Sequence, residues 1–302
     1  MPQNFTFNKI YVIESLSLDE TLTGTLLYND LLRWKEKDHN YQIQAKLDPV
    51  ADRHAFLKVF RDIQSECRTS GIYPIIHLEI HGSEDLDGLV LKSGELVTWE
   101  ELRSALEEIN LIVGNNLFLT LAVCHGAFLL GICRVHQRAP FWGFIGSFET
   151  IYSYDLLMRY TEFYTELLTS FEFDKALAAL RTANPSLPAD YRFINSQITF
   201  INVYDKYLRE KASKTGFNKR KHEVIPEQKL SFRNRKEKRH FQKVFVKIGR
   251  GSREKYFREH SRTFFMLDVF PANKNRFQVG STFKTSFGNN GKKWGSINGK
   301  LH

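Results

Sequence analysis

The chain has 302 residues, of which 42% are hydrophobic and 25% are charged. This composition is that of an ordinary globular protein, and it excludes a disordered chain, a collagen-like repeat and a small disulfide-stapled scaffold. At roughly 150 residues per domain, the length allows one large unit with an appendage or two units, enough to bury a full hydrophobic core.

Charge is divided unevenly along the sequence. Residues 1–205 carry 17 Lys and Arg against 27 Asp and Glu, a net charge of −10, whereas residues 206–302 carry 26 against 7, a net charge of +19. We therefore predict a body over 1–205 and a basic C-terminal extension over 206–302 that packs on the body or regulates it. The densest basic run, residues 211–240, is either a solvated connector or a surface that attracts the phosphates of nucleic acid or of an anionic membrane.

Cysteine content and hydropathy indicate the compartment. Three cysteines, Cys67, Cys124 and Cys133, form no metal-ligand pair, and the opening residues show neither the basic nor the apolar region of a secretory signal. We therefore expect a reducing, cytoplasmic setting. The longest apolar run, 117–133, is interrupted by Cys124-His125-Gly126 and is shorter than the roughly 20 residues of a membrane-spanning helix. It predicts a buried strand that leads into a helix, and we expect no membrane partner.

In chain order, the hydrophobic pattern predicts strands that alternate with helices. The predicted strands are 9–14, 41–47, 73–80, two short ones within 88–99, 117–123, 140–145 and 241–248. The predicted helices are 21–34, 50–67, 98–109 behind a Thr98 capping box, 149–169, 174–183 and 191–208. The apolar run 264–271 is expected to pack on the body. This rhythm favours an α/β fold whose mainly parallel sheet is covered by helices.

Two predicted strands end in residues that carry chemistry. The strand at 73–80 runs into His81-Gly82, and the strand at 117–123 runs into Cys124-His125-Gly126. Because ligands bind at the carboxyl ends of the strands in an open α/β sheet, His81 and Cys124 are expected at the same rim. A thiolate nucleophile beside an imidazole suits acyl transfer, with the backbone N–H groups of Gly82 and Cys124 as an oxyanion hole. No metal-binding or phosphate-binding motif accompanies them, so we predict chemistry without a metal or a cofactor.

These residues resemble those of the caspase-like clan of cysteine peptidases, clan CD, which includes caspases, metacaspases, separases, legumains, gingipains and CHAT domains. The shared pattern is an apolar strand followed by His-Gly and, some tens of residues later, an apolar strand followed by Cys, here residues 74–82 and 117–126. Segments 87–91 and 96–102, with Phe163-Tyr164 and Leu167-Leu168, look particularly like the CHAT branch. The resemblance covers residues 7–183, and the basic C-terminal region has no counterpart in it.

The resemblance implies a caspase-like three-layer α/β/α sandwich and a cysteine endopeptidase that performs regulated, limited proteolysis of protein substrates. It assigns the nucleophile to Cys124 and the general acid/base to His81. It further implies a protein or small-molecule activator and, in bacteria, a frequent place in antiviral or cell-death defence.

The residue preference on the substrate is less defined. Ala122 stands where caspases have a Gln that helps hold an acidic P1 side chain, so aspartate specificity is not expected. A pocket that includes Ala122 and Ser147, with an inward-pointing acid from Asp85, Asp87 or Glu149, would favour Lys or Arg. An apolar pocket is equally compatible with the sequence, and its residues are Phe144, Ile145 and Phe148.

Other interpretations of the same residues stay open. Cys67 and Cys133 are predicted to be inert core residues, and neither His77 nor His125 is expected to act as the base. The body could be a catalytically silent scaffold, or the protein could act by binding nucleic acid through its basic C-terminal region.

Overall fold

The computed structural model describes residues 6–36, 43–187, 190–211, 213, 215–216, 219, 231–251 and 253–277. Two compact units emerge from the residue contacts: Met1–Cys133 with Ala139–Ser196, and Arg134–Arg138 with Gln197–His302. Packing therefore divides the chain after Ser196, whereas the charge pattern places a boundary near Lys206. The two boundaries differ because most residues just after Ser196 are uncharged. The net charge along the sequence therefore does not change at the point where the packing changes.

The first unit is built on an eight-stranded sheet. Its strands are β1 Lys9–Ser15, β2 Gln44–Pro49, β3 Pro74–Gly82, β4 Gly88–Val90, β5 Leu96–Thr98, β6 Phe118–Ala122, β7 Gly143–Ser147 and β8 Tyr191–Asn195. The strand order is β2-β1-β3-β6-β7-β8, and all these pairs are parallel except β7 with β8. Strands β4 and β5 form an antiparallel extension from the end of β3. The prediction of an α/β fold with a mainly parallel sheet is confirmed.

The helices of the first unit connect these strands. They are α1 Thr23–Leu27, a π-helical turn Tyr28–Leu32, α2 Arg33–Glu36, α3 Arg53–Ser70, α4 Trp99–Ile112, a 3-10 helix Gly126–Ile132, α5 Ser153–Ser170 and α6 Phe173–Thr182. The predicted capping box is present at the start of α4, where Thr98 and Glu101 bond each other's backbone N–H groups.

Helices flank both faces of the sheet. On one face, the hydroxyl of Tyr11 in β1 donates to Glu66 in α3 at 2.8 Å. On the other face, the hydroxyl of Thr23 in α1 donates to Glu79 in β3 at 2.7 Å, and the ring of Tyr160 in α5 packs edge-on against His77. This arrangement is compatible with a three-layer sandwich.

Two predicted elements near the C-terminal region are wrong. Residues 191–208 were expected to form one helix, but Tyr191–Asn195 is strand β8 and the helix α7 spans Ser196–Glu210. The β-branched and aromatic residues at 191–195 pair with the exposed edge of β7, and this pairing overrides the helical spacing. Residues 241–248 were expected to form a strand, but they lie within helix α8, Arg235–Gly251. The apolar residues of this segment alternate only over a short stretch, and across the whole of Arg235–Gly251 the pattern has the period of a helix.

The second unit contains α7 and α8, followed by α9 Arg253–Phe264 and α10 Asn273–Phe277. Its core is aromatic: Phe200 of α7 contacts the rings of Phe257, Phe264 and Phe265 at centroid distances of 5.0–5.4 Å. The start of the apolar run 264–271 is therefore buried against α7. Within the basic run 211–240, residues 212, 214, 217–218 and 220–230 lie outside the described residues. None of the described helices has both the length and the apolar character needed to cross a bilayer.

Candidate active site

The two predicted catalytic residues follow neighbouring parallel strands. Strands β3 and β6 are parallel neighbours, and their last paired residues are Glu79 and Ala122. His81 lies two residues beyond Glu79, and Cys124 lies two residues beyond Ala122. Both residues therefore lie just beyond the last register pair, at the carboxyl ends of two neighbouring parallel strands.

Gly82 meets Cys124 through its backbone. A Cβ built on Gly82 would lie 1.9 Å from the carbonyl oxygen of Cys124, a distance that no side chain can tolerate. Only glycine fits at this position, because the end of β3 approaches the chain at Cys124 directly. This contact gives a structural reason for glycine after His81.

Cys124 stands at a sharp turn. The next residue, His125, has a positive φ of 58°, and the 3-10 helix begins at Gly126. The Cys124 side chain is half-buried, and its sulfur accepts a hydrogen bond from the backbone N–H of Ile151 at 3.4 Å. Ile151 belongs to the loop between β7 and α5, so this loop also contacts the thiol of Cys124.

Glu20 is a functional candidate that the sequence interpretation missed. Its Oε1 accepts a hydrogen bond from His81 Nε2 at 2.8 Å, and its Oε2 accepts one from the backbone N–H of Ser17 at 2.8 Å. Both carboxylate oxygens are therefore engaged, and the carboxylate is fixed toward the imidazole. Glu20 follows β1, whose carboxyl end lies at the same rim as that of β3, and this position was the available signal.

The other two histidines near the pair are held in different roles. His77 is fully buried, with Nε2 2.9 Å from Glu79 and Nδ1 2.7 Å from the hydroxyl of Thr120. The Nδ1 of His125 donates to the carbonyl of Phe148 at 2.8 Å. The His77 ring is thus held at both nitrogens, and the His125 ring is held at Nδ1.

A buried polar network lies beneath the rim. Glu79 is 2% exposed and joins His77 to Thr23, while its register neighbour Glu14 accepts from the N–H and hydroxyl of Thr25 at 2.9 and 2.6 Å. These two carboxylates fix the start of α1. The residues just before α1 include Glu20, so the network anchors the segment that holds His81.

The predicted pocket residues fall into two groups. Ala122 is 4% exposed and Ser147 is 2% exposed, and the Ser147 hydroxyl oxygen accepts from the N–H of Glu149 at 3.0 Å. Asp85 and Glu149 are exposed, on the loops that follow β3 and β7. In the apolar alternative, Phe144 and Ile145 are fully buried in β7, and Phe148 is half-buried against Phe128.

Sequence reasoning also missed two tyrosines at the start of α5, where Tyr152 is the N-cap residue and Tyr154 lies in the first turn. Tyr152 and Tyr154 follow Ile151, and their side chains are 60% and 61% exposed with rings stacked 5.9 Å apart. Tyr152 and Tyr154 are one and three residues after Ile151, whose backbone N–H donates a hydrogen bond to the Cys124 sulfur.

The remaining cysteines differ from Cys124 in exposure. Cys67 and Cys133 are both buried, as predicted, and burial, with the nearby Glu66 carboxylate, raises the pKa of the Cys67 thiol to about 12. Across the described ranges, no three His, Cys, Asp or Glu side chains form a group suited to a metal ion.

Comparisons with known proteins add no family assignment. A scan against protein-family models found no match, and a search of curated proteins found none either.

Proposed function

We propose that this protein is a cysteine endopeptidase of caspase-like fold, in which Cys124 is the nucleophile and His81 the general acid/base. The observation that carries the proposal is that His81 and Cys124 each follow one of two neighbouring parallel strands, β3 and β6, at the same carboxyl edge of the sheet. The close approach of Gly82 to Cys124 supports it, because that contact requires glycine next to the histidine.

The contacts of His81 define its part in the reaction. Within the described part of the chain, Glu20 is the hydrogen-bond partner of the His81 ring, and it engages Nε2. Nδ1 is then the ring atom that accepts the proton of the Cys124 thiol as the sulfur attacks the carbonyl carbon of the scissile bond. When the C–N bond breaks, the same nitrogen returns the proton to the leaving amine.

The second half of the reaction uses the same groups. Water attacks the thioester, His81 takes a proton from that water, and the thiol of Cys124 is regenerated as the new carboxylate leaves. The backbone N–H groups of Gly82 and Cys124 stabilise the oxyanion in both steps. Glu20 is a positioning residue in this scheme, since it touches the imidazole rather than the substrate.

The resemblance to the caspase-like clan extends the proposal to regulated, limited proteolysis of cytoplasmic protein targets, with an activator and a place in bacterial antiviral or cell-death defence. The preference at P1 follows from the rim loops, where Asp85 and Glu149 are exposed and would favour a basic residue.

The test compares new protein N-termini, by mass spectrometry, in cells that express the wild type, Cys124→Ala or Cys133→Ala. Cys133 is a matched control because it is a buried cysteine of the same unit that lies outside strands β3 and β6. We expect cleavages that share one P1 residue in the wild type and in Cys133→Ala, and none of them in Cys124→Ala. Identical termini in all three samples would favour the silent scaffold.

A further inference from the structure

Helix α8 differs from α7 and α9 of the second unit in its exposure. It spans Arg235–Gly251, and none of its described side chains, which run through Val244, is buried. By contrast, α7 and α9 bury Phe200, Tyr204, Phe257 and Phe264 in the aromatic core. The described half of α8 is thus a helix that the fold leaves open to solvent.

The start of α8 is nevertheless well defined. Asn234 accepts a hydrogen bond from the backbone N–H of Glu237 at 2.9 Å, and the Glu237 carboxylate accepts one from the N–H of Arg233 at 2.7 Å. These reciprocal bonds cap the first turn. Glu237 is the only acidic residue in the sequence of the helix, so cations outnumber acids along it.

The cations in the described half of α8 are exposed. Arg235, Lys236, Lys238, Arg239 and Lys243 are all exposed, and within the described residues none of their side chains forms a hydrogen bond or an ion pair. In α9, by comparison, Lys255 pairs with Glu259 and Arg258 pairs with Glu254. The cations of α9 support their own helix, and those of α8 do not.

Their spacing adds repulsion within the helix. Arg235, Arg239 and Lys243 follow one another at intervals of four residues, so like charges are neighbours along one face. Such pairs destabilise an isolated helix, and a polyanion that lies along the face removes the penalty. At 1.5 Å per residue, this column of charge extends over about 12 Å, which is enough to reach more than one phosphate of a nucleic-acid strand.

The distribution of charge favours nucleic acid over a bilayer. Lys236 and Lys238 lie to either side of the Arg235 column, so five exposed cations occupy a broad arc of the described half of the helix. A helix at a membrane surface inserts an apolar face, whereas a helix in a nucleic-acid groove meets phosphates on both sides. In the described half of α8, the apolar side chains are Phe241, which packs on Phe232 at 5.4 Å, and Val244.

We propose that α8 is a nucleic-acid docking helix that binds the phosphate backbone without reading the base sequence. The proposal goes beyond the proteolytic function and does not depend on it. It assigns to Arg235, Arg239 and Lys243 the phosphate interactions that dominate affinity, and it assigns no such role to the ion-paired cations of α9.

The experiment measures binding of the full chain to a fluorescein-labelled, mixed-sequence DNA duplex by fluorescence anisotropy between 50 and 200 mM salt. The test variant is R235Q/R239Q/K243Q, and the matched control is K255Q/R258Q/R262Q, which removes the same charge from exposed sites on α9. Gln is a good helix former, so both variants keep their helices, as circular dichroism will verify. A third variant, R235K/R239K, keeps the charge of α8.

We expect the test variant to bind at least tenfold more weakly. The slope of log affinity against log salt should fall by about 0.9 for each phosphate that the variant no longer neutralises. The control and R235K/R239K should bind within about twofold of the wild type. Equally weakened binding by the test and control variants would overturn the proposal in favour of a diffuse charge effect. No binding to the duplex, or binding only to vesicles of phosphatidylserine and phosphatidylcholine, would also overturn it.

Discussion

The carbonyl oxygen of Cys124 occupies the space in which any side chain at position 82 would begin. An added Cβ would lie 1.9 Å from that oxygen and 3.0 Å from the carbonyl carbon. Gly82, which follows the proposed base His81, is therefore in direct backbone contact with Cys124, the proposed nucleophile. This contact limits how far either residue can move relative to the other.

Replacing Gly82 with Ala should displace Cys124 relative to His81. Because a displacement of about 1 Å at reacting groups costs about 100-fold in rate, we expect Gly82→Ala to lower Cys124-dependent cleavage by at least that factor. Gly131→Ala is the control, since a Cβ there meets no atom within 4 Å. The cleavage rate of each variant, measured on a substrate found in the N-terminal comparison, checks this. Full activity of Gly82→Ala would remove Gly82 from the site.

Removing the Glu20 carboxylate should affect turnover rather than substrate binding. Glu20→Ala frees the His81 ring to rotate, so we expect kcat to fall about tenfold with little change in KM. Glu20→Gln keeps an oxygen acceptor and should restore part of the rate. Glu84→Ala, an exposed carboxylate on the neighbouring loop, is the control. A rise in KM at constant kcat would instead make Glu20 a substrate-binding residue.

The three thiols should differ in alkylation. Burial raises the pKa of Cys67 to about 12, so at pH 8 it is almost entirely the unreactive thiol, whereas Cys124 is half-buried. We expect iodoacetamide to modify Cys124 first in the native protein and all three cysteines after denaturation. Peptide mass spectrometry over a time course distinguishes the sites. Labelling of Cys67 as fast as that of Cys124 would contradict the described burial.

Stability should depend on pH through Glu66. Burial alone would raise the pKa of its carboxyl, but hydrogen bonds from Lys9 and Tyr11 outweigh burial and lower the pKa below 4.5. The folded state therefore gains stability above pH 4.5 and loses it as pH falls through the lowered pKa. Since Glu66 is one-third exposed, Glu66→Gln should cost only about 0.5–1 kcal/mol at pH 7, and that cost should shrink below pH 4. Urea unfolding of the wild type and of Glu66→Gln, at pH 7 and below pH 4, measures this cost in the free energy of unfolding. An equal cost at the two pH values would contradict the lowered pKa of Glu66.

Much of the first unit could be predicted from sequence because its local signals agree with its packing. The continuous apolar run at 117–123 became β6, which is buried on both faces, and the capping box at Thr98 marked the start of α4. His81 and Cys124 were both recognisable because each follows such a strand. Placing both residues at one edge of the sheet needed only the rule that the carboxyl ends of parallel strands lie on the same side.

What the sequence could not reveal depended on interactions between distant segments. Glu20 carries no local motif, and its role follows from the bond to His81 across 61 positions of sequence. Strand β8 was predicted as helix because its pairing with the edge of β7 is invisible to local periodicity. Residues 241–248 of α8 were predicted to be a strand. Over only eight residues, a helical pattern of apolar side chains resembles the alternation of a strand.

The most direct measurement compares the rate at which iodoacetamide alkylates Cys124 at pH 7 in the wild type and in His81→Ala. It needs neither a substrate nor an activator, and it reports on the pair itself, because the thiolate is the reacting species. The account predicts that removing His81 slows alkylation of Cys124 about tenfold or more, while the rates at Cys67 and Cys133 are unchanged. Equal rates at Cys124 in the two proteins would contradict the assignment of His81 as its base.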